Sequence, residues 1–224
     1  MPQRLGIFGG SFNPVHQGHL VMAEYCREQA GLDRVLFVPA ATPPHKQAAN
    51  LAPCDDRLEM LRLAVGGHPG FDVLPDECER GGISFTIDTV SSLRKRFPDD
   101  DWRLILGADA LASLPTWREP YRLLELIRPL ALIRQGVDDL DALLAQPALR
   151  QLFSADQADR LRIDQVQVPA IDIRASHLRE AVAAGRSIRF RTPRAVECLI
   201  QSRRLYRAPS PPSQPLREQP ADRD

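Results

Sequence analysis

The stretch Gly6–Leu20, GIFGGSFNPVHQGHL, decides the fold, because it joins a short apolar strand to the start of a helix. Gly9 and Gly10 follow the apolar residues, and His16 and His19 stand three positions apart where the helical pattern begins. A strand that passes through a glycine-containing loop into a helix is typical of the first half of a βαβ unit. The stretch therefore predicts a parallel α/β sheet with a ligand site at the carboxyl end of its first strand.

Short apolar runs recur along the chain between helical patterns, as in parallel strands that are buried on both faces. The predicted strands are Arg4–Phe8, Arg34–Val38, Phe71–Leu74, Trp102–Leu106, Leu130–Arg134 and Arg162–Val168. The helices predicted between them are His19–Ala30, Asp55–Val65 and Asp88–Phe97. This alternation predicts a Rossmann-like, doubly wound α/β fold with a mostly parallel sheet and helices on both of its faces.

A small helical part is predicted at the C-terminal end of the domain, over about residues 172–207. Its first helix, Ser176–Ala184, is expected to end at Gly185 in the left-handed conformation. Its second helix, Pro193–Ser202, is expected to have proline in its first turn. Residues 208–224 are rich in proline and charge, so we expect a disordered tail after a single domain over residues 1–207.

The composition describes a chain of 224 residues, 43% of them hydrophobic, with a formal net charge of zero. This balance predicts no general affinity for nucleic acid or for an anionic membrane. No apolar run approaches the roughly 18 residues that span a bilayer, and no signal peptide is recognised at the start. The four cysteines form no CxxC pair, so we expect reduced thiols in a cytoplasmic protein, and we leave the oligomeric state open.

The loop between the first strand and the first helix carries groups that suit an anion. We expect Gly9 and Gly10 to let the backbone turn tightly and approach a ligand, with free N–H groups and a helix N-terminus nearby. His16 and His19 lie on one helix face, Gly18 leaves space between them, and either ring could carry a charge beside phosphate. The histidines could also bind a metal, although no third ligand is near in sequence, and glycines alone would fit an ordinary turn.

Three further segments carry candidate ligand-binding side chains, each with a plain structural alternative. Lys46 in the loop PAATPPHK could present charge to phosphate or simply be solvated in a turn. Thr86 or Asp88 in SFTIDT could be a helix N-cap. In LGADALASLPTW, Asp109 could bind ribose hydroxyls or cap a helix, and Trp117 could stack on a heteroaromatic ring or belong to the core.

The segment GGSFNPVHQGHL, residues 9–20, resembles the signature of the nucleotidylyltransferase superfamily, whose HxGH is related to the HIGH motif of class I aminoacyl-tRNA synthetases. In that superfamily the two histidines hold the triphosphate of a nucleotide and stabilise charge as pyrophosphate leaves. The resemblance implies this role for His16 and His19. It also implies that Ser11 and the backbone of Gly9 and Gly10 line the phosphate pocket.

The later segments, in this order and spacing, resemble the bacterial nicotinate-nucleotide adenylyltransferase family over residues 4 to about 206. That family has a PPHK-like loop, an S-[YF]-T-[IV]-D-T segment and GAD followed by L-x-x-W. The resemblance implies that Thr86 and Trp117 bracket the nicotinate ring, whose carboxylate is held by neighbouring backbone amides. It further implies that Asp109 contacts the mononucleotide, and that Lys46 and Arg134 favour its phosphate.

The last motif departs from that family, which has I-S-[SA]-T-x-[IL]-R before a late helix. The chain has IRASHLR, Ile173–Arg179, with Arg174 where serine is usual and Ser176 where threonine is usual. Ser176 keeps a hydroxyl that could cap the helix and donate to phosphate, and Arg179 matches the family and would neutralise the β- and γ-phosphates. Arg174 could point away from the pocket or add another phosphate contact.

The activity that the resemblance implies is adenylyl transfer from ATP to nicotinate mononucleotide, which gives nicotinate adenine dinucleotide and pyrophosphate in NAD biosynthesis. Mg²⁺ would be carried on the ATP phosphates, with no metal site made by protein side chains. Alternatives are another adenylyltransferase of the same fold, such as a pantetheine-phosphate adenylyltransferase, and a non-catalytic nucleotide-binding module.

Overall fold

The structure is a computed structural model that describes residues 1–43 and 51–207. Its sheet has six strands: β1, Arg4–Gly10; β2, Arg34–Pro39; β3, Phe71–Val73; β4, Asp101–Gly107; β5, Arg128–Arg134; and β6, Val166–Val168. The spatial order is β3-β2-β1-β4-β5-β6, and every neighbouring pair is parallel. The order reverses direction between β1 and β4, which confirms the Rossmann-like prediction.

Helices connect these strands. In chain order they are α1, Gln17–Gln29; α2, Cys54–Val65; α3, Asp76–Arg80; α4, Thr86–Arg96; α5, Ala108–Ser113; α6, Pro120–Leu126; α7, Leu140–Leu144; α8, Pro147–Leu152; α9, Ala155–Ile163; α10, Ala175–Ala183; and α11, Arg194–Ser202. The helices predicted from the sequence are confirmed to within two residues at each end. The shorter helices α3 and α5–α9 were not predicted, because five to nine residues give too few turns for a periodic pattern.

The predicted sixth strand is confirmed only over Val166–Val168. Arg162 and Ile163 belong instead to α9, so the predicted start of that strand is wrong. The physical reason is a capping box, in which the Ser154 side chain accepts from the backbone N–H of Gln157 and the Gln157 side chain accepts from the N–H of Ser154. The capped helix extends to Ile163, so the first two residues of the predicted strand are helical.

Apolar side chains fill both faces of the sheet. On one face, Val90 and Leu93 of α4 pack with Leu104 and Leu106 of β4 in one buried cluster. A second buried cluster contains residues of α1, α2, α10 and α11, among them Ala23, Met60, Leu178 and Val196. Helices therefore cover both faces, and the loops at the carboxyl ends of the strands remain available for a site.

The C-terminal helices lie close to their predicted positions. Gly185 follows α10 with a φ of 68°, which confirms the left-handed residue there. Pro193 is the N-cap residue of α11 rather than part of its first turn, so that detail is off by one position. Residues 208–224 lie outside the described residues, and the domain boundary at about residue 207 stays a prediction.

The expectation of four reduced thiols is wrong for two of them, because Cys54 and Cys78 form a disulfide. The two cysteines are 24 residues apart in sequence, a spacing that suggested no bridge, but the β3 connection brings α3 beside the start of α2. Cys26 and Cys198 are free, and burial raises the pKa of Cys26 to about 12. Within residues 1–43 and 51–207, no helix has the length and apolar character to cross a membrane.

Candidate active site

The carboxyl ends of the strands lie at one edge of the sheet, because all the strands run parallel. At this edge Gly10 of β1 is paired with Pro39 of β2, and Gly107 of β4 is paired with Leu132 of β5. The loops that follow β1 and β4 leave the sheet where its strand order reverses. Ligands bind at such switch points in open α/β sheets. The fold thus places the loop after β1 at the centre of the predicted site.

The two histidines of the HxGH motif lie against each other at the start of α1. The ring centroids of His16 and His19 are 3.6 Å apart, and the ring planes differ by 21°. The backbone N–H of His16 donates to Nδ1 of His19 at 3.2 Å. His16 is the N-cap residue and is buried, so the helix start holds both rings in one place.

His16 has the electrostatics of a buried, neutral ring. Burial lowers its pKa from 6.5 to about 4, so the imidazole is uncharged near neutral pH. The expectation that either ring could carry a charge beside phosphate concerns the ligand-bound protein and stays a prediction. Its Nδ1 is buried and makes no hydrogen bond to any described residue. A buried polar atom without a partner is unusual, and a bound ligand could supply the missing bond.

Gly18 makes the stacked arrangement possible. A Cβ atom at this position would lie 3.1 Å from Nδ1 and 3.2 Å from Cε1 of His16. It would also lie 3.6 Å from Cγ2 of Ile171, which belongs to the segment that leads into α10. The space that this glycine leaves lies beside the His16 ring and not between the two rings, which are stacked, so the predicted position of that space is wrong.

Gly9 and Gly10 have a different role from the predicted tight turn. Both residues belong to β1, and both have a negative φ, whereas the left-handed residue of the loop is Phe12, with a φ of 43°. A Cβ atom on Gly10 would lie 3.1 Å from the ring of Phe12, so glycine is needed there for packing. A Cβ atom on Gly9 would meet nothing within 4 Å. The turn prediction is wrong, while the open space at Gly9 is consistent with close approach of a ligand.

The late motif IRASHLR lies next to the loop after β1. Arg179 of α10 donates from Nη1 to the carbonyl oxygen of Asn13 at 2.8 Å. Ser176 lies in the first turn of α10 but is not its cap, because the N-cap residue is Arg174. Arg174 itself is exposed and pairs with Asp172 at 3.1 Å. Its side chain is thus directed to solvent in this structure, which favours the first of the two interpretations.

Thr86 and Trp117 lie on segments that the fold brings together. Thr86 is the first residue of α4, and the N-cap residue before it is Phe85, so neither Thr86 nor Asp88 caps the helix. Arg118, next to Trp117, lies over the Phe85 ring at 4.8 Å and pairs with Asp88 at 3.8 Å. Trp117 is partly buried against the core and donates from Nε1 to a serine hydroxyl at 3.2 Å.

Asp109 follows β4, and Arg134 is the last residue of the neighbouring strand β5, so both lie at the site edge. Asp109 lies in the first turn of α5, directly after β4, and its charge helps to raise the pKa of Arg134. The main cause of that rise is Asp138, whose carboxylate binds the Arg134 guanidinium through two hydrogen bonds of 2.9 Å. Asp138 was not predicted from the sequence as a partner of Arg134. Arg134 is accordingly paired in the free protein, and a ligand phosphate would share this cation with Asp138.

The loop that contains Lys46 starts beside the SFTIDT segment. The backbone N–H of Ala41 donates to Oγ of Ser84 at 2.9 Å, and Thr42 and Ile83 form a parallel bridge. Lys46 itself lies outside the described residues, so its proposed phosphate contact stays a prediction. The start of the loop after β2 and the SFTIDT segment, both assigned to the mononucleotide side, are nevertheless joined by this hydrogen bond and this bridge.

One buried arginine near these loops was not singled out from the sequence. Arg57 of α2 is fully buried and donates to backbone carbonyls of both the β1 and the β2 loops. The available signal was a charged residue directly before Leu58 in an otherwise apolar helical pattern with Leu61 and Val65. An arginine in such a position is usually exposed, and only the packing of α2 under the loops shows otherwise.

Among the residues that the structure describes, this edge has no cage of metal-binding side chains. Within the described ranges, no group of three or more histidine, cysteine, aspartate or glutamate side chains is arranged to hold a metal ion. The donor set around the histidine pair is instead imidazole, guanidinium and backbone N–H, which suits anions. A divalent ion here would take most of its ligands from phosphate oxygens and water.

Comparison with known proteins agrees with this geometry. The family model described as cytidylyltransferase-like matches residues 7–181. A protein of Citrifermentans bemidjiense named "probable nicotinate-nucleotide adenylyltransferase" is 44% identical over 212 residues, which cover 91% of this chain and 98% of the relative. A protein of the same name from Thermomicrobium roseum is 42% identical over 204 residues, or 91% and 92% of the two chains.

Among solved structures, a nicotinic acid mononucleotide adenylyltransferase of Plasmodium falciparum in complex with NaAD is similar in fold. The TM-score is 0.70, and the match covers 91% of this chain and 97% of that chain. The sequences are only 15% identical, so this similarity concerns the fold alone.

Proposed function

The chain belongs to the nicotinate-nucleotide adenylyltransferase family, among the cytidylyltransferase-like proteins, and we propose that it transfers the adenylyl group of ATP to nicotinate mononucleotide. The products are nicotinate adenine dinucleotide and pyrophosphate, which is a step of NAD biosynthesis. The pantetheine-phosphate alternative is not favoured, since the relatives named above match more than nine tenths of the chain and carry the nicotinate-nucleotide name.

The observation that carries this proposal is the stacked pair of His16 and His19 at the switch point of the sheet. The pair lies at a helix N-terminus, and Arg179 reaches the preceding loop. These groups offer N–H donors and positive charge to a triphosphate in one place. Ser11, Ser176 and the Gly9–Gly10 backbone belong to the same proposed ATP subsite.

The proposed reaction is an in-line displacement at the α-phosphorus of ATP. A phosphate oxygen of the mononucleotide attacks that phosphorus, a new P–O bond forms, and the bond to the β-phosphate bridging oxygen breaks. Negative charge grows on the departing pyrophosphate. Such a reaction needs positioning and electrostatic stabilisation rather than a protein nucleophile. The N–H groups of His16 and His19 and the guanidinium of Arg179 would stabilise that charge.

The acceptor side of the proposal uses the loops after β2 and β4, the start of α4 and the end of β5. Thr86 and Trp117 would bracket the nicotinate ring, and Asp109 would contact the mononucleotide. Lys46 and Arg134 would favour its phosphate. What supports this assignment is the contact of Arg118, next to Trp117, with Phe85 and Asp88, which places the two sides of such a ring site near each other.

Mg²⁺ belongs to the proposal as an ion carried on the ATP phosphates, where it would neutralise part of their charge. The protein's own share is to bind and orient those phosphates through imidazole and guanidinium donors. A cytoplasmic location, and the lack of nucleic-acid and membrane partners, stay predictions from the sequence.

The test is a pyrophosphate-release assay with purified protein, MgATP and one acceptor at a time. Nicotinate mononucleotide, nicotinamide mononucleotide and phosphopantetheine are the acceptors, and CTP replaces ATP in a parallel series. We expect the highest kcat/KM for ATP with nicotinate mononucleotide. Equal kcat/KM for the two mononucleotides would remove the preference for the acid, and activity only with phosphopantetheine or only with CTP would refute the proposed substrates.

A further inference from the structure

Arg57 is a fully buried cation that is solvated by backbone carbonyls. Its Nη1 donates to the carbonyl oxygens of Ser11 at 3.0 Å and Ala40 at 2.6 Å. Its Nη2 donates to the carbonyl oxygen of Ala41 at 3.0 Å, and its Nε donates to that of Ala52 at 2.9 Å. A single planar group thus connects four backbone carbonyls that come from three separate parts of the chain.

Among the described residues, no carboxylate forms a hydrogen bond or ion pair with the Arg57 guanidinium. Its hydrogen-bond acceptors within the described ranges are those four carbonyls and Sγ of Cys54, and it takes part in no ion pair there. Burial accordingly lowers the pKa of Arg57. A buried charge is costly, and an aliphatic residue would fill the same space without that cost. The role of Arg57 must therefore be sought in the backbone segments whose carbonyl oxygens it binds.

The acceptors of Arg57 belong to two different halves of the proposed site. Ser11 lies in the loop after β1, between the glycines and the histidine pair, on the ATP side. Ala40 and Ala41 directly follow β2 and begin the loop of the mononucleotide side, and Ala41 is bonded in turn to Ser84. The guanidinium therefore connects the loop after β1 to the start of the loop after β2 through its hydrogen bonds.

We propose that Arg57 is a positioning residue that fixes the loop after β1 relative to the loop after β2, and so aligns the acceptor phosphate with the α-phosphorus of ATP. This inference rests on the proposed function. Arg57 touches neither substrate in this proposal and acts only through the two loops. Lysine cannot replace it, because an ammonium has three donors and lacks the planar fork that reaches carbonyls on several sides.

The proposal predicts a separation of kcat from KM. If the loops shift relative to each other, each substrate keeps the contacts of its own loop, but the attacking oxygen and the phosphorus lose alignment. A misplacement of about 1 Å can reduce a rate by roughly 100-fold. We therefore expect Arg57→Lys and Arg57→Met to lower kcat by about 10- to 100-fold, while each KM changes by less than about threefold.

Arg103→Lys is the matched control, because Arg103 is also a buried arginine of the sheet region. Its guanidinium pairs with Asp101, the first residue of β4, and with Asp164. This cluster lies at the amino end of β4, at the opposite edge from the site. Thermal midpoints are measured for all variants, and we expect Arg103→Lys to keep the kcat of the unmodified chain.

The outcomes separate this inference from the function on which it rests. If the unmodified chain shows no adenylyl transfer, the proposed function fails. If it is active and a folded Arg57 variant keeps its kcat, or loses kcat only as much as Arg103→Lys does, the positioning role is refuted. A comparable rise in both KM values at unchanged kcat would also refute it.

A second variant covers the case in which neither Arg57 variant folds. Tyr206 donates to Oδ1 of Asn13 at 2.7 Å, two residues after Ser11, so its hydroxyl holds the same loop that Arg57 contacts. Tyr206→Phe removes only this hydroxyl. A kcat lowered by about threefold or more at unchanged KM would support the positioning role, because this hydrogen bond and those of Arg57 hold the same loop. An unchanged kcat would refute it.

Discussion

At the scale of single residues, the site depends on two histidines whose environments differ. His16 is buried and neutral, and it leaves Nδ1 without a bond in the described structure. His19 is half-buried and accepts the backbone N–H of His16. A neutral imidazole can still donate one N–H to a phosphate, so burial does not remove His16 from the proposed chemistry. The two rings are therefore expected to contribute differently when they are changed.

His19→Ala should lower kcat by about 100- to 1000-fold, which is typical for the loss of one donor to transition-state charge. The thermal midpoint should change little, since His19 lies at the half-buried surface of the site. Pyrophosphate release and thermal unfolding are measured together. His68→Ala is the control, because His68 lies before β3 and pairs with Glu24, away from the carboxyl edge. A kcat near that of the unmodified chain would contradict the assigned role of His19.

His16 should make stability depend on pH. Its pKa is about 4 in the folded chain and 6.5 when it is exposed, so between these values the unfolded chain binds a proton that the folded chain does not. The free energy of unfolding contributed by His16 therefore decreases as pH falls from 6.5 towards 4, by roughly 3 kcal/mol in total. Urea denaturation at about pH 7 and about pH 4.5 measures the loss.

His16→Gln is the variant that isolates this contribution, because glutamine is polar and does not titrate. Its free energy of unfolding should fall less between the two pH values than that of the unmodified chain. If His16→Gln and the unmodified chain lose the same stability on acidification, the neutral buried state of His16 is disproved.

At the scale of secondary-structure elements, the first turn of α1 determines how the histidine rings are held. The helix begins at Gln17, directly after His16, so Gly18 lies in its first turn against the His16 ring. Alanine normally favours a helix over glycine by about 1 kcal/mol. At this position the added methyl group would instead contact the ring of a proposed catalytic residue.

Gly18→Ala should consequently reduce activity without a matching loss of stability. The Cβ atom would lie 3.1 Å from the His16 ring, which must move to relieve the contact. We expect kcat to fall by about tenfold or more, with a thermal midpoint within a few degrees of the original. Glu28→Ala, at an exposed position near the end of the same helix, is the control for an alanine substitution in α1 away from the histidine rings. Equal activity of Gly18→Ala and the unmodified chain would show that the ring position is unimportant.

At the scale of the whole molecule, residues near the C-terminal end of the described chain contact the loop after β1. Leu205 and Tyr206 pack against the buried cluster that contains α1, α2, α10 and α11. The Tyr206 hydroxyl binds Asn13, whose carbonyl oxygen also accepts from Arg179. The C-terminal helical part therefore supports the loop after β1, although it is far from that loop in sequence.

Two shortened chains test where the domain ends. A chain that stops after residue 207 should keep its thermal midpoint and kcat, because it contains every described contact of Tyr206. A chain that stops after residue 204 loses Leu205 and Tyr206, and its thermal midpoint should fall by roughly 4–10 °C. Thermal unfolding and pyrophosphate release measure both effects. A large loss of activity in the longer of the two chains would show that residues 208–224 contribute to the enzyme.

The sequence by itself determined the fold class, the position of the site and the order of the long elements. Apolar strand runs and helical periodicity are local patterns, and parallel strands then bring their carboxyl ends to one edge whatever the details of packing. The histidine pair was visible for the same reason, since residues i and i+3 at a helix start always share a face. The family motifs identified the nucleotide and its acceptor.

Only the tertiary structure decided which side chains are buried and paired. In the folded chain Cys54 is bonded to Cys78, and His16 is buried. Arg134 is paired with Asp138, and Arg57 binds carbonyl oxygens of two loops. None of these follows from spacing, because burial, pKa and ion pairing depend on residues distant in sequence that the fold brings near. The same applies to Tyr206 and Asn13. Local patterns specify elements and their faces, whereas the environment of each functional group exists only after those elements have packed.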